Sequence, residues 1–521
     1  MLRFTRGTLC FLLTLGSLGL CSPSPVWSQS RNASRGQKTR AKRDIAPLRK
    51  QYTDRQARFH RELEALAEQC AKDNLPAAAD TVRELAVPFS PDTMRVGDLP
   101  KSALEPLNPD LPPEEKGWRV PLRQKRQDYA KELFALSQKV LAAGHFSFAW
   151  DLIREVAHHD PDNPAARKAL GFVRTGDDWM SPFEARMLRE HKQWDDRFGW
   201  VPQEQIERLS KGERLFKSNW ISSEREAEIR RDFAHAWEIR TEHYLVRTNH
   251  SLERGVEMAK KLEEFHGLFL QALAGFFNTP EQFKQLLAGT GGQRAAAKPL
   301  VVHYYATRDE YITRIKRETT QKVELTRGIY FPKTGVAHFF YDPQATDDST
   351  LYHEATHQLL SGARPAIGEI GMKSDFWSIE GIACYMESFQ KTGETFSFGD
   401  PQTPRFHYAR QHFLVEKYYV PIAAFSRMGM MEYQNSPEIK RNYAQGASLV
   451  HFFLHYDDGQ YRDEFVEYLS QIYSPTKTVR EKPDSLWKLI GVESDDLDQQ
   501  YGEYVRKLGI KPLRTAQETA R

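Results

Sequence analysis

The chain has 521 residues, 40% hydrophobic and 27% charged, with 31 Gly and 28 Pro, a balance that excludes a disordered, collagen-like or multi-span membrane protein. At roughly 100 to 200 residues per domain the length suggests two to four domains, each able to bury a core without disulfide staples. Lys and Arg number 73 against 70 Asp and Glu, a formal +3 that falls to +1 if Arg3 and Arg6 are removed, so no global field recruits nucleic acid.

Arg3 and Arg6 precede an apolar run from Thr8 to Leu20, too short to span a bilayer comfortably but suited to the core of a signal peptide. Val26-Trp-Ser28 places modest side chains before a cleavage point near Ser28, so residues 1–28 read as a signal peptide and the protein as secreted or periplasmic. The bulk of Leu20 disfavours a lipid tether at Cys21, and no later stretch reaches the roughly 18 apolar residues of a membrane helix. Cys10 and Cys21 fall in the signal, and Cys70 and Cys384 read as buried thiols rather than a disulfide framework.

Residues 29–50 are polar and basic with almost nothing to bury, and read as a linker. Residues 51–175 read as a helical region. Within it Leu133, Leu136 and Val140 form one stripe, Gly144 marks a turn, and Ala149, Ile153 and Val156 form a second stripe. The offsets resemble one tetratricopeptide repeat, with Ser137 where that repeat prefers Gly or Ala, and suggest a surface for a protein partner. Residues 176–236 carry Trp179, Trp194, Trp200 and Trp220 and read as a tryptophan-rich helical connector, with capping boxes at Ser181-Pro-Phe-Glu184 and Ser223-Glu-Arg-Glu226.

From Trp237 the pattern becomes mixed α+β. Glu242–Thr248, Leu300–Tyr305 and Gly335–Tyr341 are rich in β-branched and aromatic residues and predict strands, and the chain is mostly helical beyond Asp342. The chemistry concentrates in Leu351-Tyr-His-Glu-Ala-Thr-His-Gln-Leu-Leu360. On a helix, side chains four apart share a face, so His353 and His357 can close on one metal ion with Glu354 beside them. Phe376 to Glu387 reads as a second helix, from which Glu380 could complete a site of two histidines and one carboxylate with a position left open.

His353-Glu-x-x-His357, then Trp377-x-x-Glu-Gly-x-Ala383, then Tyr443-Ala-Gln-Gly-Ala-Ser-Leu-Val450, resembles the gluzincin metallopeptidases, specifically the peptidase-MA-like group and its exported bacterial members with a helical region in front. The resemblance covers Trp237 to Leu508 and implies a gluzincin-type domain over 237–521: a small mixed sheet plus metal-bearing helices. It implies that His353, His357 and Glu380 bind Zn2+ and that Glu354 is the general base. Peptide bonds would then be hydrolysed through a zinc-activated water.

Tyr443 is the candidate oxyanion donor by resemblance, with His338, His407, His412 and His451 as alternates. Some gluzincins place an aspartate four residues after the glutamate ligand, where this chain has Cys384; Glu387 lies on nearly the same face and is the substitute. In such sites an extended peptide substrate pairs with the edge strand preceding the metal helix, here Gly335–Tyr341 by position. Two other readings compete: a non-catalytic binding scaffold on a metallopeptidase fold, and a metal-dependent hydrolase of cell-wall material using the tryptophans for stacking.

Overall fold

Proline in the first turn of each segment, followed by Ala, Leu and charged residues, starts two helices, Ala46–Lys72 and Pro76–Leu85. The computed structural model describes residues 44–509 apart from 91–92, 96–98, 100–106, 109, 289, 291–297, 320–322 and 365–369. The expected signal peptide and most of the expected linker lie outside the described residues. The first helix begins inside the segment read as linker, because Leu48 and Tyr52 already pack against the helical core.

The helical hairpin is present as Pro113–Ala143 and Phe146–His159, reversed at Gly144 with φ 99°. Leu133, Leu136, Val140, Ala149, Ile153 and Val156 are all fully buried, so both stripes face the core as the spacing requires. Ser137 is buried as well, its hydroxyl donating to the Phe134 carbonyl at 2.7 Å. The same core runs on through Ala274 and Phe283, so the hairpin is packed on one side against the body of the molecule.

The stretch 176–236 is not the helical connector that its composition suggests. Three antiparallel hairpins, Val173–Thr175 with Asp178–Met180, Lys192–Asp195 with Gly199–Pro202, and Glu213–Phe216 with Asn219–Ser222, are each followed by a short helix. Trp179, Trp200 and Trp220 each occupy the second residue of the returning strand. They recur every 20 or 21 residues, a repeat hidden because strands of three or four residues are too short to show alternation. The Ser181 capping box is formed, whereas the later helix is capped by Ser222, one residue before the expected position.

The main sheet has five strands in the order Gly328–Phe331, Val336–Phe340, Leu300–Tyr305, Tyr244–Thr248, Trp237–Arg240. The middle three are parallel and both outer strands antiparallel to their neighbours. The three predicted strands are therefore all present, but Val336–Phe340 is internal. The edge on that side is Gly328–Phe331, four residues long and joined through the turn at Gly335, too brief a run to read as a strand from the sequence.

Helix Leu252–Ala272 packs on the sheet, and helices Ser349–Ala363, Phe376–Met386, Ile439–His455 and Arg462–Ile472 build the largest core with it. The architecture is mixed α+β. Thr93–Arg95 from the N-terminal region pairs with Thr395–Ser397, tying the two parts of the chain together. Among the described residues no helix is long and apolar enough to cross a membrane.

Candidate metal centre

Helix Ser349–Ala363 is held at its start by Asp347, which accepts from the Ser349 N–H at 3.0 Å, and by Lys261 bridging to Asp348 at 3.0 Å. Every residue from Leu351 to Leu360 is buried, so the motif sits on a helix enclosed on all sides rather than on an amphipathic surface helix. The Nε2 atoms of His353 and His357 lie 3.2 Å apart. Glu380, from helix Phe376–Met386, brings Oε2 to 3.5 Å from His353 Nε2 and 3.8 Å from His357 Nε2. Three ligands at about 2.0–2.1 Å from a tetrahedral ion are about 3.3–3.4 Å from one another, so these three atoms stand close to that spacing.

Glu380 is fully buried, and neither of its oxygens makes a hydrogen bond of good geometry. A buried carboxylate facing two imidazoles in this way is the environment that a divalent cation compensates. Burial pushes the Glu380 carboxyl up, but the two histidines and the Tyr443 hydroxyl outweigh it and hold the group below its usual range. His357 is pushed down to about 4, first by burial, with Glu380 opposing and His353 adding to the shift. Both residues therefore stand in the forms that bind a metal, neutral imidazole and carboxylate.

The other nitrogen of His353, Nδ1, donates to Glu387 Oε1 at 2.9 Å. Glu387 in turn accepts two bonds from Arg405, at 2.7 and 2.8 Å. Burial raises the Glu387 carboxyl, yet Arg405 and His353 together take it down to about 2. Glu387 thus fills the supporting role expected of it, and Arg405, on helix Pro404–Leu414, was not foreseen because nothing in its local sequence marks it. Cys384 is a buried thiol 4.0 Å from His353 Nδ1, on the side of the ring away from Glu380 and His357. Cys70 is likewise buried and reduced.

Glu354 is buried and accepts the backbone N–H of Tyr330 at 2.9 Å. This bond links the carboxylate directly to the edge strand Gly328–Phe331. Tyr443, on helix Ile439–His455, is buried with its hydroxyl beside Glu380 and its ring under Arg405. Two further tyrosines feel the Glu380 charge, Tyr433 and Tyr473; both are fully buried, and burial is the main cause of their strongly raised pKa values. Neither carries a local signal that the sequence reading could have used.

Three of the four alternates for an oxyanion donor are engaged elsewhere. His338 meets Tyr305 at 3.0 Å within the sheet, His412 pairs with Glu416 at 3.0 Å, and His451 bridges the Gly399 carbonyl and the Tyr504 hydroxyl at 2.9 and 2.6 Å. His407 lies against Tyr408. No protein-family model matches this chain, and a search of curated proteins returns no significant match.

Proposed function

We propose that the chain is an exported zinc-dependent peptidase of the gluzincin type, with a tetratricopeptide-like helical region in front of the peptidase domain. The observation that carries this reading is the triad of His353 Nε2, His357 Nε2 and Glu380 Oε2, mutually 3.2 to 3.8 Å apart, with Glu354 on the same helix. Zinc held there would supply a Lewis acid that lowers the pKa of a water towards 7. The chain's own residues divide the remaining work. Glu387 fixes the His353 ring by accepting from Nδ1, so that Nε2 presents its lone pair towards His357 and Glu380. Glu354 accepts the proton of the attacking water and delivers it to the leaving amine, oriented by the Tyr330 N–H. Tyr443 is the donor for the developing oxyanion, and an extended peptide would lie along Gly328–Phe331, the true edge.

The test combines metal content with turnover. Purified chain should hold zinc that His353→Ala loses, while Glu354→Gln keeps the zinc and loses hydrolysis of an unstructured protein substrate by at least about 100-fold. A folded wild-type chain that takes up no zinc when it is supplied overturns the proposal. The enclosure of the centre, with His353, Glu354, His357 and Glu380 at 4% exposure or less, favours one second reading, a scaffold whose metal does no chemistry. That reading predicts zinc binding with no turnover in any variant. The wall-hydrolase reading needs open indole faces: Trp179 is buried and Trp220 carries the Arg208 guanidinium 3.8 Å from its ring centre, which leaves the half-buried Trp194 and Trp200.

A further inference from the structure

Helix Phe376–Met386, which carries Glu380, is buried along its whole length. A helix with no solvent-facing side has no polar face to set its rotation about its own axis. The direction in which Glu380 points has to be fixed at an end of the helix or by a close contact along it. The close contact is the crossing of Gly381 with Gly446. The end is Asp375, five residues before Glu380 and about 7.5 Å from it along the axis.

Asp375 has φ 62° and ψ 14°, a left-handed conformation that aspartate tolerates better than most residues but seldom adopts. Seven non-glycine residues among those described have positive φ, and the other six are all exposed. Asp375 is buried, and its side chain does not cap its own helix. It is tied outwards instead: Oδ1 accepts from the Tyr468 hydroxyl at 2.5 Å and Oδ2 from the Ser374 hydroxyl at 2.6 Å. The Asp375 N–H donates to the Ser426 carbonyl at 2.8 Å, and Trp377 donates its indole N–H to the Ser426 hydroxyl at 3.1 Å. The two loops meet so closely that a Cβ on Gly429 would overlap the Met372 carbonyl oxygen. Tyr468 is 1% exposed and belongs to helix Arg462–Ile472, so the tie joins the start of the Glu380 helix to a separate element. A side chain that neither caps its helix nor meets water, yet sits on a disfavoured backbone conformation, marks a constraint on the helix that follows.

We infer that Asp375 and Tyr468 are positioning residues for the metal centre. Their bond locks residue 375 in the left-handed conformation, and with it the rotation that aims Glu380 at His353 and His357, 3.5 and 3.8 Å away. A metal site tolerates errors of only about 0.2 Å in its ligand distances, so a small turn of this helix is enough to spoil the set. Releasing the tie lets the helix start relax and carries Glu380 out of line with the two histidines. The inference rests on the zinc reading of that centre.

The experiment is zinc affinity of the full chain by chelator competition, for wild type, Tyr468→Phe, Asp375→Gly and Asp375→Asn, with Tyr468→Phe measured also in a Glu380→Ala background. Tyr468→Phe deletes only the hydroxyl, and Asp375→Gly keeps the left-handed backbone while deleting the tie. Both should bind zinc about 10–100-fold more weakly. Asp375→Asn still accepts from Tyr468 and tolerates the conformation, so it should stay within about 3-fold of wild type. With Glu380 replaced, Tyr468→Phe should leave the residual affinity unchanged, because the tie acts through that ligand alone. An affinity unaltered by Tyr468→Phe, or lowered equally in the two backgrounds, overturns the inference and leaves the bond a packing feature; this comparison decides even if Asp375→Gly fails to fold. A wild-type chain that takes up no zinc overturns the zinc reading and this inference with it, whereas zinc that is bound but indifferent to the tie overturns this inference alone.

Discussion

Glu387 does for His353 what a ligand cannot do for itself. It fixes the ring orientation and tautomer, and Arg405 holds it in place. Replacing it with glutamine keeps the shape but removes the charge that both His353 and Arg405 meet. Glu387→Gln is expected to weaken zinc binding by about 10–100-fold in a chelator competition, with the fold retained. An unchanged affinity would assign the Glu387–Arg405 pair to packing alone. The His353, Glu354 and His357 constellation was legible because helical spacing dictates which side chains converge, and the Glu380 carboxylate because a second helix follows at short range. Arg405, Tyr433 and Tyr473 were not legible, since each reaches the centre through tertiary packing that no local pattern encodes.

At the level of elements, the closest approach near the centre is between helix Phe376–Met386 and helix Ile439–His455. A Cβ on Gly381 would stand 2.8 Å from the Gly446 carbonyl oxygen, a backbone atom that cannot swing aside. Gly381 thus serves the contact with the helix of Tyr443 rather than one with helix Ser349–Ala363. Gly381→Ala should therefore destabilise the chain by about 1–3 kcal/mol and reduce zinc content, because the adjacent Glu380 must shift with its helix. Thermal unfolding and elemental analysis on the same sample check both effects.

The helical hairpin holds a different liability. Glu155 is buried, accepts from Tyr129 at 2.8 Å, and is raised to about 7 chiefly by burial. Between pH about 4.5 and 7 the folded chain keeps this proton while the unfolded chain has released it, so rising pH removes stability across that window. The loss amounts to about 3 kcal/mol and is complete above it. Glu155→Gln cannot titrate, so urea unfolding at pH 4.5 and 7.5 should show the variant gaining on wild type by roughly that amount at the higher pH. The hairpin itself was readable from its stripes. The three tryptophan hairpins were not, because strands of three or four residues are too short to establish an alternating pattern and their capped helices dominate the local signal.

Across the whole molecule, the N-terminal helices are joined to the sheet domain by specific bonds rather than by a loose tether. Arg462, nearly buried, reaches Asp151 at 2.8 Å and the carbonyls of Gln271 and Ala272, Asp463 accepts the Ser147 N–H at 2.9 Å, and Phe146 meets Phe283 edge-on at 5.1 Å. A chain with independent domains would tolerate the loss of one such contact. Here Asp151→Ala is expected to lower overall stability by about 2 kcal/mol. It should do so without splitting unfolding into two transitions; two separated melting steps in the variant would show that the parts are autonomous.

The meeting of Gly381 with Gly446 has a mechanical corollary. Glu380 and Tyr443 ride on two helices in backbone contact. His353 and His357 ride on helix Ser349–Ala363, anchored through Glu354 to the sheet edge at Tyr330. An ion coordinated by all three side chains would pin helix Ser349–Ala363 to that pair of helices, and its binding free energy would add to the adhesion between them. At a free ion concentration 100-fold above the dissociation constant this addition is worth about 2.7 kcal/mol. Scarcity of the ion would then be felt as weaker attachment of helix Ser349–Ala363 to its neighbours.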